Sequence, residues 1–505
     1  MKNGLLVHGI TDRLSVIYNR IRMGEPIKFR IIFRVISSNL FIVSGFLLFC
    51  TLIASHYSEE MAPLFLSAMM SLVVGFIFHL FSRGARTDVQ ITRKDAYLTV
   101  TTSWLIISLA GTLPYLLSGS IPRFTDAFFE SISGFSTTGA SILTDIEALP
   151  KSVLLWRSLT HWIGGIGIIV LVIMVMPSLK IGGYHLFTLE SSLQEKIQPK
   201  IKAVGVRLLM IYLALTFMEI GLLLLGGMNL FESACHSFGT VATGGFSPKN
   251  SSIIGYSPYI QYVIMLFMFL SGVNYLIHYS LVKGDFNRIK ANDELRFYIA
   301  VVFIIGLLIA IPLHFILGKP VEVSIRESYF QVISIISCTG FASADYMQWP
   351  AYAWTLIFLA MFLGGSTGST SGGIKMARHL IVLRNIGRSF KAMVHPNAIM
   401  RIQINDRGID DATNNSILSF IFLYFLVFVM GTLMMMLHGL DFQVSASSVA
   451  TCMAGIGPGL GSVGPVGNFA HIPDTAKMIL SGLMLLGRLE IYTVLMLFTR
   501  EFWKS

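Results

Sequence analysis

Charged residues are scarce in this chain: Asp, Glu, Lys and Arg together fill 13% of its 505 positions, while 54% are hydrophobic. A soluble chain of this length would need more charged surface, so the shortage excludes an ordinary soluble protein and describes a polytopic membrane protein. Cysteine is also sparse. Cys50, Cys235, Cys338 and Cys452 lie in apolar or glycine-rich contexts with no CxxC spacing, which excludes a thiolate metal cluster and leaves the redox compartment open. The first thirty residues contain no compact apolar run, so no cleavable signal peptide is expected. Gly364 to Gly368 read GGSTG and so spell GxSxG, but they interrupt a membrane span and do not join a strand to a helix, so no nucleophile elbow is expected, which counts against a membrane hydrolase built on Ser366, Ser369 or Ser371 with His379 or His161.

What the chain has in quantity is apolar stretches of 18 or more residues, each able to cross roughly 30 Å of hydrocarbon. The net charge of +10 is distributed by topology. Of the 37 Lys and Arg, 29 fall in the alternate polar segments 1–34, 83–95, 178–207, 283–296, 375–407 and 500–505. The positive-inside rule makes that side the cytoplasm and places both termini there, so no nucleic-acid partner is needed to explain the charge.

After a cytoplasmic arm and two apolar spans near 31–55 and 61–82, a long unit recurs four times: span, short semi-polar helix ending in glycine, span. The boundaries are 95–202, 203–294, 295–411 and 412–505, preceded by the arm and two-helix hairpin of 1–94. The expected fold is an all-α polytopic membrane protein of ten full spans and four re-entrant half-helices in pseudo-fourfold arrangement. The short segments align without a gap when anchored on Gly139, Gly244, Gly340 and Gly459. Three of them end in Thr-Gly (Thr138, Thr243 and Thr339 before the glycine) and the fourth in Pro458 and Gly459.

Non-helical backbone at membrane depth is tolerated where it is buried in protein or lines a water-filled path. Extended chains rich in glycine can turn backbone carbonyls inward to replace the hydration shell of a monovalent cation, and the half-helices aim the negative ends of their dipoles the same way. The other reading of any single glycine is close helix packing. Asp126, Glu130, Asp145, Glu147, Glu232, Glu327, Asp345, Asp441 and Asp474 flank the half-helices and are expected to form an acidic outer vestibule, or else to be ordinary loop charges.

These residues carry a family resemblance. STTGAS, VATGGFSP, SCTGF, GPGLG, GGSTGSTSGGIK and LLGRLEIYTVL resemble the membrane subunit of the Trk/Ktr/HKT superfamily of potassium transporters, most closely its TrkH type. The resemblance implies a single-chain pore for potassium, the transported ion, with no cofactor. It implies a filter at Thr137, Thr138 and Gly139; Ala242, Thr243 and Gly244; Cys338, Thr339 and Gly340; and Gly457, Pro458 and Gly459. It also implies a homodimer in the bacterial cytoplasmic membrane, lipid around it, and a cytosolic TrkA-like nucleotide-binding regulatory subunit docked on 180–202, 283–296 and 384–411. A proton- or sodium-coupled cation symporter of the same fold is the alternative, with Glu219, deep in an apolar span, as a candidate coupling carboxyl.

One span is interrupted by GGSTGSTSGG, beginning about 20 Å below its outer start. Gly364, Gly365, Ser366, Thr367, Gly368, Ser369, Thr370, Ser371, Gly372 and Gly373 cannot hold an unsupported helix. The resemblance makes this segment the pore gate, contacted by Arg488, a costly cation near the middle of the last span. Lys375, ending the segment, either repels cations from below or marks the cytoplasmic edge. Only this span is expected to break, which argues against the paired broken helices of an inverted-repeat transporter. Gly459, Gly461 and Gly464 match GxGxxG, but they follow a half-helix and not a strand, and Pro465 sits where a binding helix would begin.

Overall fold

The computed structural model describes residues 27–83, 92–174, 197–397, 400–405 and 407–503. The arm before residue 27 and most of the expected docking segment 180–202 lie outside the described residues, as do positions 398, 399 and 406 of the segment 384–411. Helices dominate. In chain order they are α1 (Phe29–His56), α2 (Ala62–Phe81), α3 (Arg93–Leu117), α4 (Phe124–Phe135), α5 (Lys151–Met174), α6 (Ile197–Leu225), α7 (Leu230–Val241), α8 (Pro258–Ser271) and α9 (Tyr275–Val282). There follow α10 (Phe286–Lys290), α11 (Asp293–Phe315), α12 (Val321–Ile336), α13 (Ala351–Ala360) and α14 (Met376–Val394). After a two-stranded turn of β1 (Gln403–Ile404) and β2 (Arg407–Gly408) come α15 (Asp411–Leu437), α16 (Phe442–Ala454), α17 (Asp474–Arg488), α18 (Ile491–Leu495) and α19 (Arg500–Trp503).

Helix starts follow from local sequence. Asn229, Ser257, Asn274, Asn292 and Asp410 each accept an amide hydrogen bond from the first turn they precede, satisfying donors that a helix leaves open. Thr92 and Asp95 form a reciprocal capping box at α3, and Asp95 also accepts from the amide of Lys28, fixing the entry of α1. Glu59, in the turn between α1 and α2, caps the start of α5 by accepting from the amides of Lys151 (2.7 Å) and Ser152 (2.9 Å). The first two helices are thus pinned to the rest of the molecule by a charge-assisted bond at a helix N-terminus.

Six helices among the described residues are individually long and apolar enough to cross a membrane: α1, α2, α3 from Lys94, α6 from Val204, α11 and α15. The expectation of one broken span is corrected. The pair α8 and α9 bends by 103° at Gly272, Val273 and Asn274, and α17 and the turns after it bend by 114° at Leu489 and Glu490. Asn274 caps α9 and so stops α8 from continuing, and Glu490 takes a left-handed φ of 61°, which a helix cannot contain. Together with the gap between α13 and α14, three long segments are broken among the described residues. Arg488 is therefore the last residue of α17, at the bend, and not mid-helix.

Candidate functional site

α4, α7, α12 and α16 all end in the same way. The residue after the last turn is left-handed: Thr137 (φ 53°), Thr243 (55°), Cys338 (60°) and Gly455 (70°). The next amide reaches back over five residues: Thr138 to Ser133 O, Gly244 to Gly239 O and Thr339 to Ser334 O at 2.8 Å, and Ile456 to Thr451 O at 3.0 Å. This is the Schellman closure, which normally recruits glycine because a left-handed L-residue costs about 1–2 kcal/mol. Two threonines and a cysteine accept that conformation here, so the surrounding structure holds them in it. Two residues further on each chain turns left-handed again, at Gly139 (81°), Gly245 (76°), Gly340 (80°) and Gly457 (98°).

This pattern corrects the register of the ungapped alignment. Gly139 and Gly340 are equivalent, but their partners are Gly245 and Gly457, one residue after Gly244 and two residues before Gly459. Ala242 is the last right-handed residue of its helix end. Pro458 and Gly459 belong to the departing chain, where the carbonyl of Gly459 accepts from Tyr346 Oη (2.6 Å).

The four segments close on one another. A Cβ at Gly139 would strike the carbonyl oxygen of Gly244; at Gly245, that of Thr339; at Gly340, that of Ile456. At Gly457 it would lie 2.9 Å from the carbonyl oxygen of Thr138, which completes the circuit. Each second left-handed glycine therefore abuts the middle residue of the next segment, and every junction is backbone against backbone. Helix C-termini converge behind this ring, supplying partial negative charge where the carbonyls gather.

The interrupted segment 364–373 runs through the same region. Its ends are zipped by Gly364 N to Ile374 O (2.8 Å) and Met376 N to Gly365 O (3.1 Å). Ser366 N donates to Gly272 O (2.8 Å) and Gly368 O accepts from Tyr275 N (3.2 Å), so the segment sits in the break between α8 and α9. Thr370 Oγ1 donates to Val241 O (3.0 Å) at the end of α7, Gly372 leaves no room for a Cβ against Ala454 O at the end of α16, and a Cβ on Gly373 would lie 3.5 Å from Cys338 Sγ. Arg488 donates to Thr370 O (2.8 Å) and Gly164 O (3.2 Å), bridging the segment to α5. Lys375 Nζ donates to the carbonyl of Ser371, inside the segment it terminates.

A family model described as TrkH, cation transport protein, matches residues 68–505. The chain belongs to the TrkH family. The Trk system potassium uptake protein TrkH of Escherichia coli (strain K12) is 35% identical over 488 residues, covering 94% of this chain and 100% of that protein. The Trk system potassium uptake protein TrkG of the same strain is 32% identical over 475 residues, with coverage of 90% and 98%. The crystal structure of the potassium transporter TrkH from Vibrio parahaemolyticus matches with a TM-score of 0.87 at 31% identity, covering 94% of this chain and 100% of that one. These relatives are transport proteins and not enzymes, and this chain is a membrane protein of the Trk potassium uptake transporters.

Within this TrkH-family fold, six of the nine flanking carboxylates are paired with cations and so are not free charges of an acidic vestibule. Glu130 is fully buried and pairs with Arg157 Nε at 2.6 Å. Asp126 pairs with Lys477 (2.6 Å) and Asp474 with Arg123. Glu327 pairs with Lys319 (2.5 Å), and Glu232 and Glu147 share Lys249. The hydrogen bond to Glu232 raises the Lys249 ammonium above its ordinary pKa. Glu219 is buried, and its carboxyl oxygens have no hydrogen-bond partner among the described residues.

Arg157 went unmarked in the sequence, although a cation inside an apolar span is a signal in itself. It reaches across two segments: its Nη1 donates to Ser247 O (2.9 Å), its guanidinium lies 3.5 Å from the centre of the Phe246 ring, and its partner Glu130 accepts from Ser141 Oγ and Ile142 N. Both chains rising from the first two segments hang on this pair. Arg157→Ala leaves Glu130 buried and uncompensated, a loss of about 3–5 kcal/mol. The expected result is a lowered unfolding temperature in detergent, and an unchanged one would show that the pair holds nothing.

Proposed function

We propose that this protein conducts potassium through a pore whose filter is the four-segment ring, gated from below by 364–373. In this reading the units 95–202, 203–294, 295–411 and 412–505 stand in pseudo-fourfold arrangement after the hairpin of 1–94. The filter residues are Thr137, Thr138 and Gly139; Thr243, Gly244 and Gly245; Cys338, Thr339 and Gly340; and Gly455, Ile456 and Gly457. The observation that carries it is the closed circuit of glycine-to-carbonyl contacts. In a regular strand successive carbonyls point to opposite sides, whereas alternating left-handed residues bring them to one side, as a dehydrated cation requires.

The gate assignment rests on where 364–373 lies: hydrogen-bonded to the end of α7 and to Arg488, and packed against the end of α16 beside Cys338. A Cβ at Gly364, Gly365 or Gly372 would meet a backbone carbonyl oxygen, and each of the segment's contacts is a hydrogen bond or close approach that a modest displacement would break. The relatives' name, a Trk system, supports a further component, which we place as a nucleotide-binding regulatory subunit on the basic inner face of a homodimer. The distribution of Lys and Arg supports cytoplasmic termini.

The test is tracer rubidium uptake into liposomes holding the purified protein, with potassium or sodium as competitor, beside Gly340→Ser. Potassium is expected to block uptake far better than sodium, and the variant to lose that preference. Equal competition by both ions in the parent would remove the selective filter. Deletion of 366–371 is expected to leak without any partner, and a silent deletion would remove the gate.

A further inference from the structure

Helix α14, which begins where the interrupted segment ends, lacks a cap of its own. Its N-cap residue is Lys375, whose side chain makes no capping bond and carries the wrong charge for a helix N-terminus. The missing acceptor comes from another helix. Glu294, in the first turn of α11 and only 2% exposed, accepts from the amide of Ala377 at 3.0 Å. The same oxygen, Oε1, accepts from the amide of Thr367 at 2.6 Å, inside the interrupted segment. One carboxylate thus holds two amides ten residues apart, one in the proposed gate and one in the helix that follows it.

The residue beside Glu294 faces outward from the same turn. Asp293 accepts from Arg384 Nη2 (2.9 Å) on α14 and from the amide of Asn405 (3.0 Å) in the turn between β1 and β2, while its own amide donates to Asn405 Oδ1 (2.8 Å). Arg384 also donates to the carbonyl of Gln403 in β1. Two consecutive acidic residues therefore connect the turn at 403–408, in one of the basic segments assigned to the inner face, to the interior of the pore segment.

We propose that Glu294 is the latch that holds 364–373 closed, and that Asp293 ties this latch to the turn at 403–408, so that displacement of the turn from the cytoplasmic side frees the segment. This rests on the gate reading above. Rigid coupling is expected because the two side chains share one helical turn: α11 cannot shift at Asp293 without moving Glu294. The pair's bonds are charge-assisted, and about twice as strong as neutral ones.

The test uses the full-length protein in liposomes without any partner and compares the parent, the 366–371 deletion, Glu294→Ala and Glu294→Gln by tracer rubidium uptake. Glu294→Ala is expected to raise uptake about tenfold, the equivalent of about 1.4 kcal/mol. Glu294→Gln keeps one neutral acceptor oxygen and is expected to fall between Ala and the parent. Potassium should still outcompete sodium in both, because the ring is untouched. A second measurement labels Ser369→Cys, a buried position, with a membrane-impermeant thiol reagent; labelling is expected to accelerate with Glu294→Ala and, more weakly, with Asp293→Asn.

If the deletion leaks but Glu294→Ala neither leaks nor speeds labelling, the latch is wrong and the gate stands. A silent deletion removes the gate and the latch with it. Leak accompanied by lost potassium preference, or equal leak from Gln and Ala, would show general loosening and also overturn the latch. Faster labelling with Glu294→Ala but not with Asp293→Asn would remove the link to the cytoplasmic turn.

Discussion

Gly245→Ala is expected to abolish potassium-selective uptake, while Gly459→Ala leaves it measurable. At Gly245 a methyl group meets the carbonyl of Thr339 in the next segment, and φ is 76°. Left-handed strain of about 1–2 kcal/mol adds to an overpacking cost of about 1–3 kcal/mol. Neither relaxes locally, because the obstacle is backbone that itself belongs to the ring. At Gly459 the methyl would lie 2.8 Å from Ser447 Oγ and 2.9 Å from Val463 Cγ2, side-chain atoms outside the ring and not its backbone. The measurement is rubidium uptake with potassium and sodium competition, on material that elutes as one species in detergent. Equal damage from both substitutions would refute the register of the ring, and an unharmed Gly245→Ala would refute the ring as the filter.

Arg488→Leu is the second large effect, and its expected sign is a gain. The guanidinium holds the proposed gate at Thr370 O and the wall at Gly164 O, and a hydrogen bond to a charged group contributes about 1.5–3 kcal/mol. Losing the bond to the gate alone shifts the closed-to-open balance by about ten- to a hundredfold. Partner-free rubidium uptake should rise accordingly. Arg488→Lys should not restore closure, because a single ammonium cannot span two carbonyls on separate elements as a planar fork does. Reduced uptake in Arg488→Leu would mean that the arginine holds the conducting form, and closure would rest on Glu294 without it.

Some of this was legible in the chain. Long apolar spans announce themselves by composition, and the four short helices by their apolar faces and the Thr and Gly that end them. The small-residue segment was visible as a break because ten weak helix formers in a row leave no other outcome. The register was not. Matching Thr-Gly pairs weighs residue identity, whereas the ring is built on hydrogen-bond position: a left-handed cap, then a second left-handed glycine two residues later. Only Gly455 displays the cap in its residue type, and Thr137, Thr243 and Cys338 occupy the same conformation against their own preference.

The two further breaks escaped for a related reason. Hydropathy averaged over a span barely registers Asn274 or Glu490, and either residue is compatible with helix until a neighbour supplies what it needs: Asn274 caps α9, and Glu490 binds Arg378 at 2.6 Å. Glu294 looked like an ordinary acidic residue in a first turn. Its partner amides lie 73 and 83 positions away, a distance that no local pattern encodes.

By itself, then, the sequence determined that the chain crosses a membrane many times, where four short helices fall, and that one span cannot be continuous. These properties depend on transfer from water and on local helix preference, which each stretch of chain carries within itself. The tertiary structure alone decided which backbone atoms face one another in the ring, which charges are neutralised, and what grips the broken segment. Those are contacts between residues far apart in sequence, and their geometry exists only once the separate units are packed together.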